Sequence, residues 1–375
     1  MGTFALASLV FGLLGLLGTL GVIHLLRMVV SAGSGAPAPE SITPDSGVIQ
    51  RSAGGLGMLM GIAIASFYMD PWPYSAKGLV YASMFFVLAG AWLERKGSLE
   101  QKPLFMVVCG LVGTLVSTWF ALDYLDWNRV IWSVGFVLLL CSALLAPFAT
   151  AMLPQSSRAT PALPSLLVLV EVALLLLFGA VSVVEDDRHA LFAEFAVVAM
   201  PAVGAILACL IYVARMPWRA KPAVLIGMGG HMALGLLVAW GVLRLGARSA
   251  GGAGATTALL WLVAVPFFEL ARGAIAWCAQ RCLLDPLLGP WARHAPALRR
   301  FVEGTGYSTA STCAFALVMG LAGVGLWHLD VSGYWSTLGL LPAFAFYLVG
   351  SAMPARSARW LRGRATVHSQ VGGTE

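Results

Sequence analysis

This sequence is poor in charge. Asp, Glu, Lys and Arg make up 11% of its 375 residues, against 59% hydrophobic. A soluble multidomain protein needs a polar face at helical period on most of its segments, and few segments here carry one. Clustered thiols are scarce too. The six cysteines are scattered, and although Cys278 and Cys282 share a helix face at i, i+4, no histidine or further cysteine completes a tetrahedral set, so they read as packing residues. No basic residue precedes the first apolar run, which is too long for the core of a signal peptide. The expectation there is a first membrane span with Arg27 at its cytoplasmic end, not a cleaved leader. The net charge of +6 comes from short loops and a basic C-terminal tail. Attraction to anionic lipid headgroups accounts for it without nucleic acid.

What is abundant is apolar runs of about 20 residues, the length that crosses ~30 Å of hydrocarbon. Eleven such spans are expected, at 4–30, 54–69, 78–93, 103–122, 129–153, 162–184, 189–213, 222–247, 257–283, 309–328 and 333–353. Sorting Lys and Arg between alternate loops puts seventeen on the side reached after the first span and five on the other. That asymmetry predicts an outside N-terminus and a cytoplasmic C-terminus. The expected fold class is therefore all-α integral membrane, with about eleven transmembrane helices. One polytopic transmembrane domain spans 1–353, and a basic cytoplasmic tail spans 354–375.

Against this apolar background the polar residues stand out. Glu171 sits deep in Leu-Val-Leu-Val-Glu-Val-Ala-Leu-Leu, where an ionised acid is costly and a protonated carboxyl bonded to another helix is the simplest state. Glu185-Asp186-Asp187 falls on the outer side and reads as a solvated turn. Glu269 and Arg272 lie one helical turn apart inside the ninth span and are expected to neutralise each other. Arg215, Arg219 and Lys221 crowd a cytoplasmic loop that leads into Gly227-Met-Gly-Gly-His-Met-Ala-Leu-Gly235. In that stretch Gly227, Gly229 and Gly230 permit close backbone approach to an anion at a helix start. Gly54 and Gly55, after Arg51, form a second small-residue helix start.

The order of these fragments resembles that of the polyprenyl-phosphate N-acetylhexosamine-1-phosphate transferases, glycosyltransferase family 4. The resemblance runs from about Arg51 to His328. Arg51 through Leu56 looks like the family's Arg-x-Gly-Gly-Leu with one extra residue, and Gly227 through Gly235 like its Gly-Asp-Ser-Gly-Ser-Leu-Phe-Leu-Gly. Pro266 to Glu269 looks like its Pro-x-x-Asp, and His294 to Ser308 has the length and ending of its histidine-rich loop. The departures are as specific as the matches. The family's paired aspartates fall on Leu93-Glu94, the acid of Gly-Asp-Ser-Gly falls on Met228, and its histidine pair falls on Arg299-Arg300. The family's acid-bearing motif after the fifth span falls near Thr150 to Ser157, where no acid remains.

The resemblance implies a bacterial inner-membrane protein of envelope polysaccharide assembly that binds a polyprenyl-phosphate lipid and a UDP-sugar, as a homo- or heterodimer. Loss of the Mg²⁺-binding carboxylates makes the expected member catalytically degenerate, with no cofactor and no metal ligand set. One alternative is an active transferase with a rearranged, Mg²⁺-assisted site, Glu94 and Glu269 acting in catalysis and Arg215, Arg219, Lys221, Arg299 and Arg300 holding substrate phosphate. The other is a transporter or lipid flippase, with Glu171 and His231 on its path.

Overall fold

A computed structural model of the chain describes residues 2–34, 48–67, 74–96, 145–146, 162–185, 189–213, 223–246, 253–281, 308–329 and 331–352. The expected fourth and fifth spans lie outside the described residues, Leu145 and Ala146 apart. So do Arg215, Arg219, Lys221, Arg299, Arg300 and the basic tail. The described chain is helical, without a strand. Its helices are α1 (Gly2–Ser34), α2 (Val48–Phe67), α3 (Tyr74–Lys96), α4 (Ala162–Glu185), α5 (His189–Val213), α6 (Gly227–Gly246), α7 (Ala253–Leu262), α8 (Ala264–Arg281), α9 (Ser308–His328) and α10 (Gly333–Ala352). In α1, Leu9–Ala32 is long and apolar enough to cross a membrane, and shorter apolar stretches occupy α2 to α6 and α9. The second and third spans, short in the hydropathy pattern, extend as helices to 20 and 23 residues.

The ninth span departs from expectation. The apolar run from 257 predicts one continuous helix, but the chain turns at Val263 and starts again as α8. Pro266 is the cause. It has no N–H to offer the Leu262 carbonyl four residues back, and its ring crowds that carbonyl, so the hydrogen-bond ladder stops there.

The helices form one bundle around α6. Helices α1, α2 and α5 pack together, α3 packs on α2 and α6, and α4 joins α5 and α6 to α9. Helix α7 packs on α9 and α10 at the far side. The side chains from Ala223 to Leu243 are almost all buried, and Phe195 of α5 stacks on Trp240 of α6 with ring centroids 4.9 Å apart. A helix that is apolar all round belongs in such a centre. The outside of the bundle is also apolar: α3 turns out Tyr81, Phe85, Leu88 and Trp92, while α1 turns out Leu6, Leu13 and Leu17. Exposed large apolar residues in continuous stripes mark a surface built for a non-aqueous neighbour.

Candidate functional site

Two arrangements of polar and small residues stand out from this bundle. The first lies where α2, α3 and α6 meet. Helix α6 starts at Gly227, whose φ of 72° lies in the left-handed region that favours glycine, so the chain can turn sharply out of Ala223–Ile226 into the helix. Just before that turn, the Leu225 carbonyl accepts a 3.0 Å hydrogen bond from the Gly54 N–H of α2. A methyl group on Gly54 would lie 2.7 Å from the same carbonyl oxygen, and one on Gly55 would meet Ile226 and, at 2.9 Å, the Gly230 Cα. From the other side α3 closes in, because a methyl on Gly229 would lie 2.6 Å from the Val87 carbonyl and one on Gly90 would run into the Gly229 backbone. The five glycines singled out in the sequence thus share one junction, joined by Gly90. The close neighbour is the Leu225–Ile226 backbone at Gly54 and Gly55, the Ile226 side chain and Gly55 at Gly230, and α3 at Gly229.

Around this junction the geometry continues through hydrogen bonds. The buried Cys209 thiol of α5 donates to the Gly54 carbonyl at 3.3 Å. His231 is 1% exposed, and its Nδ1 lies 2.7 Å from the Gly227 carbonyl, which only accepts; the ring proton therefore sits on Nδ1. In the neutral ring Nε2 is then an acceptor, and the Ser165 hydroxyl of α4 donates to it at 3.2 Å. The result ties the first turn of α6 to the first turn of α4. The loop between α5 and α6 is pinned at its base, where the Ala223 N–H donates to the Tyr212 carbonyl at 2.9 Å. Glu94 stands one turn beyond Gly90 on α3, and Arg51 one turn before Gly54 and Gly55 on α2, so their backbones lie towards the same end of the bundle. Met228, at the position of the family's acid, is 9% exposed.

The second arrangement surrounds Glu269 on α8. Arg272 donates to Glu269 Oε2 from Nε at 3.0 Å and from Nη2 at 2.9 Å, and the Tyr347 hydroxyl of α10 donates to Oε1 at 2.7 Å. Both carboxylate oxygens are engaged, and the acid side chain is 3% exposed. Phe268, Phe344 and Phe315 pack around Tyr347 and close the apolar wall. One turn earlier, the Val265 N–H donates to Glu171 Oε1 of α4 at 3.2 Å, so an acid from a neighbouring helix caps the restart of the broken span.

The expected Glu269–Arg272 pair and the expected helix-to-helix bond of Glu171 are both present. Tyr347, Gly90 and Ser165 were not singled out beforehand. Gly90 carried a faint signal, one turn ahead of Glu94, and Tyr347 is the one hydroxyl-bearing aromatic in the inner half of the last span; Ser165 carried none. Among the described residues, no three His, Cys, Asp or Glu side chains come together as a metal site. The whole chain matches no protein-family model, and no curated protein is significantly similar to it.

Proposed function

We propose that this chain is a multi-pass inner-membrane protein with the architecture of the sugar-1-phosphate transferases, which binds a polyprenyl-phosphate lipid but does not transfer sugar. The observation that carries the reading is the glycine junction. Gly54, Gly55, Gly229 and Gly230 were picked out through two motif fragments some 170 residues apart, and the fragments meet: the Gly54 N–H bonds the Leu225 carbonyl at 3.0 Å and Gly55 faces Gly230. An accidental likeness gives no reason for the fragments to meet. The apolar exterior of α1 and α3 supports immersion in lipid.

The donor set supports binding without transfer. Magnesium takes hard oxygen ligands, and Met228 offers a thioether where the family has a carboxylate. Glu269 has both oxygens committed to Arg272 and Tyr347. The residues at these positions do not fit the ion. Losing such a metal commonly removes several kcal/mol of transition-state stabilisation, roughly a thousandfold or more in rate. For an anionic headgroup the sequence still supplies Arg215, Arg219 and Lys221 shortly before the start of α6, and Arg299 and Arg300 as further cations.

The test uses the purified full chain in nanodiscs. Polyprenyl phosphate should bind, and an Arg215→Ala, Arg219→Ala, Lys221→Ala triple variant should bind it at least tenfold more weakly, since each phosphate contact to a charged group contributes about 1.5–3 kcal/mol. With UDP-sugars and Mg²⁺ added, no UMP should appear. UMP release abolished by Glu94→Gln would establish the active transferase instead, and failure to bind the lipid phosphate would remove the reading altogether.

A further inference from the structure

Among the described residues, three buried side-chain atoms have no hydrogen-bond partner, and one of them belongs to an acid: Glu171 Oε2. Glu171 is 1% exposed. Its other oxygen takes the Val265 N–H at 3.2 Å, at the point where the ninth span breaks. At that break the i to i+4 hydrogen-bond ladder of the helix is interrupted as well. Pro266 has no proton to give the Leu262 carbonyl, three residues before the amide that Glu171 already holds. An acid oxygen without a donor therefore lies beside an interruption in a buried helix, and what it lacks is a proton.

The local charge count agrees. Helix α4 is packed by α5, α6, α7 and α9. Their described titratable side chains are Cys209 and Tyr212 on α5, His231 on α6 and His328 on α9, with none on α7; α8 adds Glu269 and Arg272, and α10 adds Tyr334 and Tyr347. None of them bonds to Oε2. The one described guanidinium in this part of the bundle, Arg272, is paired with Glu269. Two carboxyls and one guanidinium leave a buried unit of negative charge if both acids ionise, and none if Glu171 holds a proton. An isolated carboxylate costs far more to bury than a hydrogen-bonded carboxyl.

We propose that Glu171 and the Leu262–Pro266 break form a proton-binding site, occupied in this conformation. The bound proton comes from bulk water and bonds to Oε2, while Oε1 continues to accept from Val265. When the proton leaves, the carboxylate has to be hydrated, so the emptied site opens the break to water. Loading seals the interior at this level and unloading wets it. The site is separate from the lipid-phosphate junction, and its failure or success leaves that reading untouched.

Infrared difference spectroscopy of the full chain in nanodiscs tests this. At neutral pH the wild type should show the carbonyl stretch of a protonated, buried carboxyl, which Glu171→Gln removes and Glu269→Gln leaves in place. Hydrogen exchange supplies the second readout. After correction for intrinsic base catalysis, amides 262–266 should exchange roughly tenfold or more faster as the band titrates away. In Glu171→Gln, whose amide mimics the loaded acid, they should not respond to pH. A wild type without the band, a band that survives Glu171→Gln, or the same exchange response in both proteins overturns the proposal. If Glu171→Gln does not fold, Glu171→Asp decides: the band must persist at a displaced frequency, and an unmoved band assigns it elsewhere.

Discussion

Adding one methyl group to each side of the α3–α6 contact gives the sharpest test of the packing that brings the glycine stretches together. A methyl on Gly229 would sit 2.6 Å from the Val87 carbonyl oxygen and 2.7 Å from that of Phe86. A methyl on Gly90 would overlap the Gly229 Cα and N. Relaxed carbon contacts fall at about 3.5–4.0 Å, so either substitution has to part the two helices by roughly 1 Å. The obstacle is backbone on both sides, with no side chain able to swing away. The cost should therefore lie towards the upper end of the usual overpacking range, about 3 kcal/mol for Gly90→Ala or Gly229→Ala. Once the helices have parted for the first methyl, the second finds part of its space made. The double variant should thus cost less than the sum, with a coupling of about 1 kcal/mol or more. Gly21→Ala and Gly325→Ala are the controls, since nothing lies within 4 Å of a methyl at either. They should be neutral or gain about 0.5–1 kcal/mol from the stiffer unfolded chain. Equilibrium unfolding in mixed micelles, followed by circular dichroism, measures all five proteins. If Gly90→Ala and Gly229→Ala fall within about 0.5 kcal/mol of the controls, the contact is not as tight as described and the convergence argument fails with it.

The remaining predictions concern single bonds. Tyr347→Phe leaves Glu269 Oε1 without its hydroxyl donor and should cost about 1–3 kcal/mol in the same assay. Arg272→Met strands the buried Glu269 carboxylate and should cost about 3–5 kcal/mol, whereas Arg272→Met combined with Glu269→Leu should recover most of it, because no buried charge then remains unpaired. Ser165→Ala should cost about 1 kcal/mol by removing the donor to His231 Nε2, and exchange at the start of α6 should rise with it. Gly227→Val should be worse than Gly227→Asn by about 1–2 kcal/mol, since asparagine tolerates a φ of 72° and a β-branched residue does not.

How much of this was readable beforehand follows from the range over which each signal acts. Helices announce themselves locally, so an apolar run predicts one wherever it occurs; the starts of α4, α5, α9 and α10 fall within one residue of their expected spans. The Glu269–Arg272 pair was legible for the same reason, its partners being one turn apart on one helix. The break at Val263 was not inferred, although Pro266 stood in the expected span. Neighbouring helices can satisfy a carbonyl freed by proline and keep a span straight, so the residue alone does not decide between a kink and a stop. The acceptor that serves the restarted helix comes from Glu171, 94 residues earlier, beyond the reach of any local pattern. Tyr347 was hidden in the same way. Its role depends on Glu269 in another helix, and no periodicity in α10 distinguishes a hydroxyl aimed at a carboxylate from one aimed at solvent.

Glycine behaves differently from all of these, because it has no side chain whose chemistry gives its partner away. At Gly229 a sequence pattern says only that backbone can come close; whether the visitor is a phosphate or a carbonyl is settled by the fold, and here Val87 and Phe86 fill the space. If the proposed lipid phosphate binds at this end of the bundle, it has to be held beyond the glycines, by the N–H groups that open α6 and by cations such as Arg215, Arg219 and Lys221. In that arrangement the glycines set how deeply α6 sits between α2 and α3, and the cations carry the affinity. Glycine substitutions should then alter stability and lipid binding together, whereas substitutions in the loop should alter lipid binding alone.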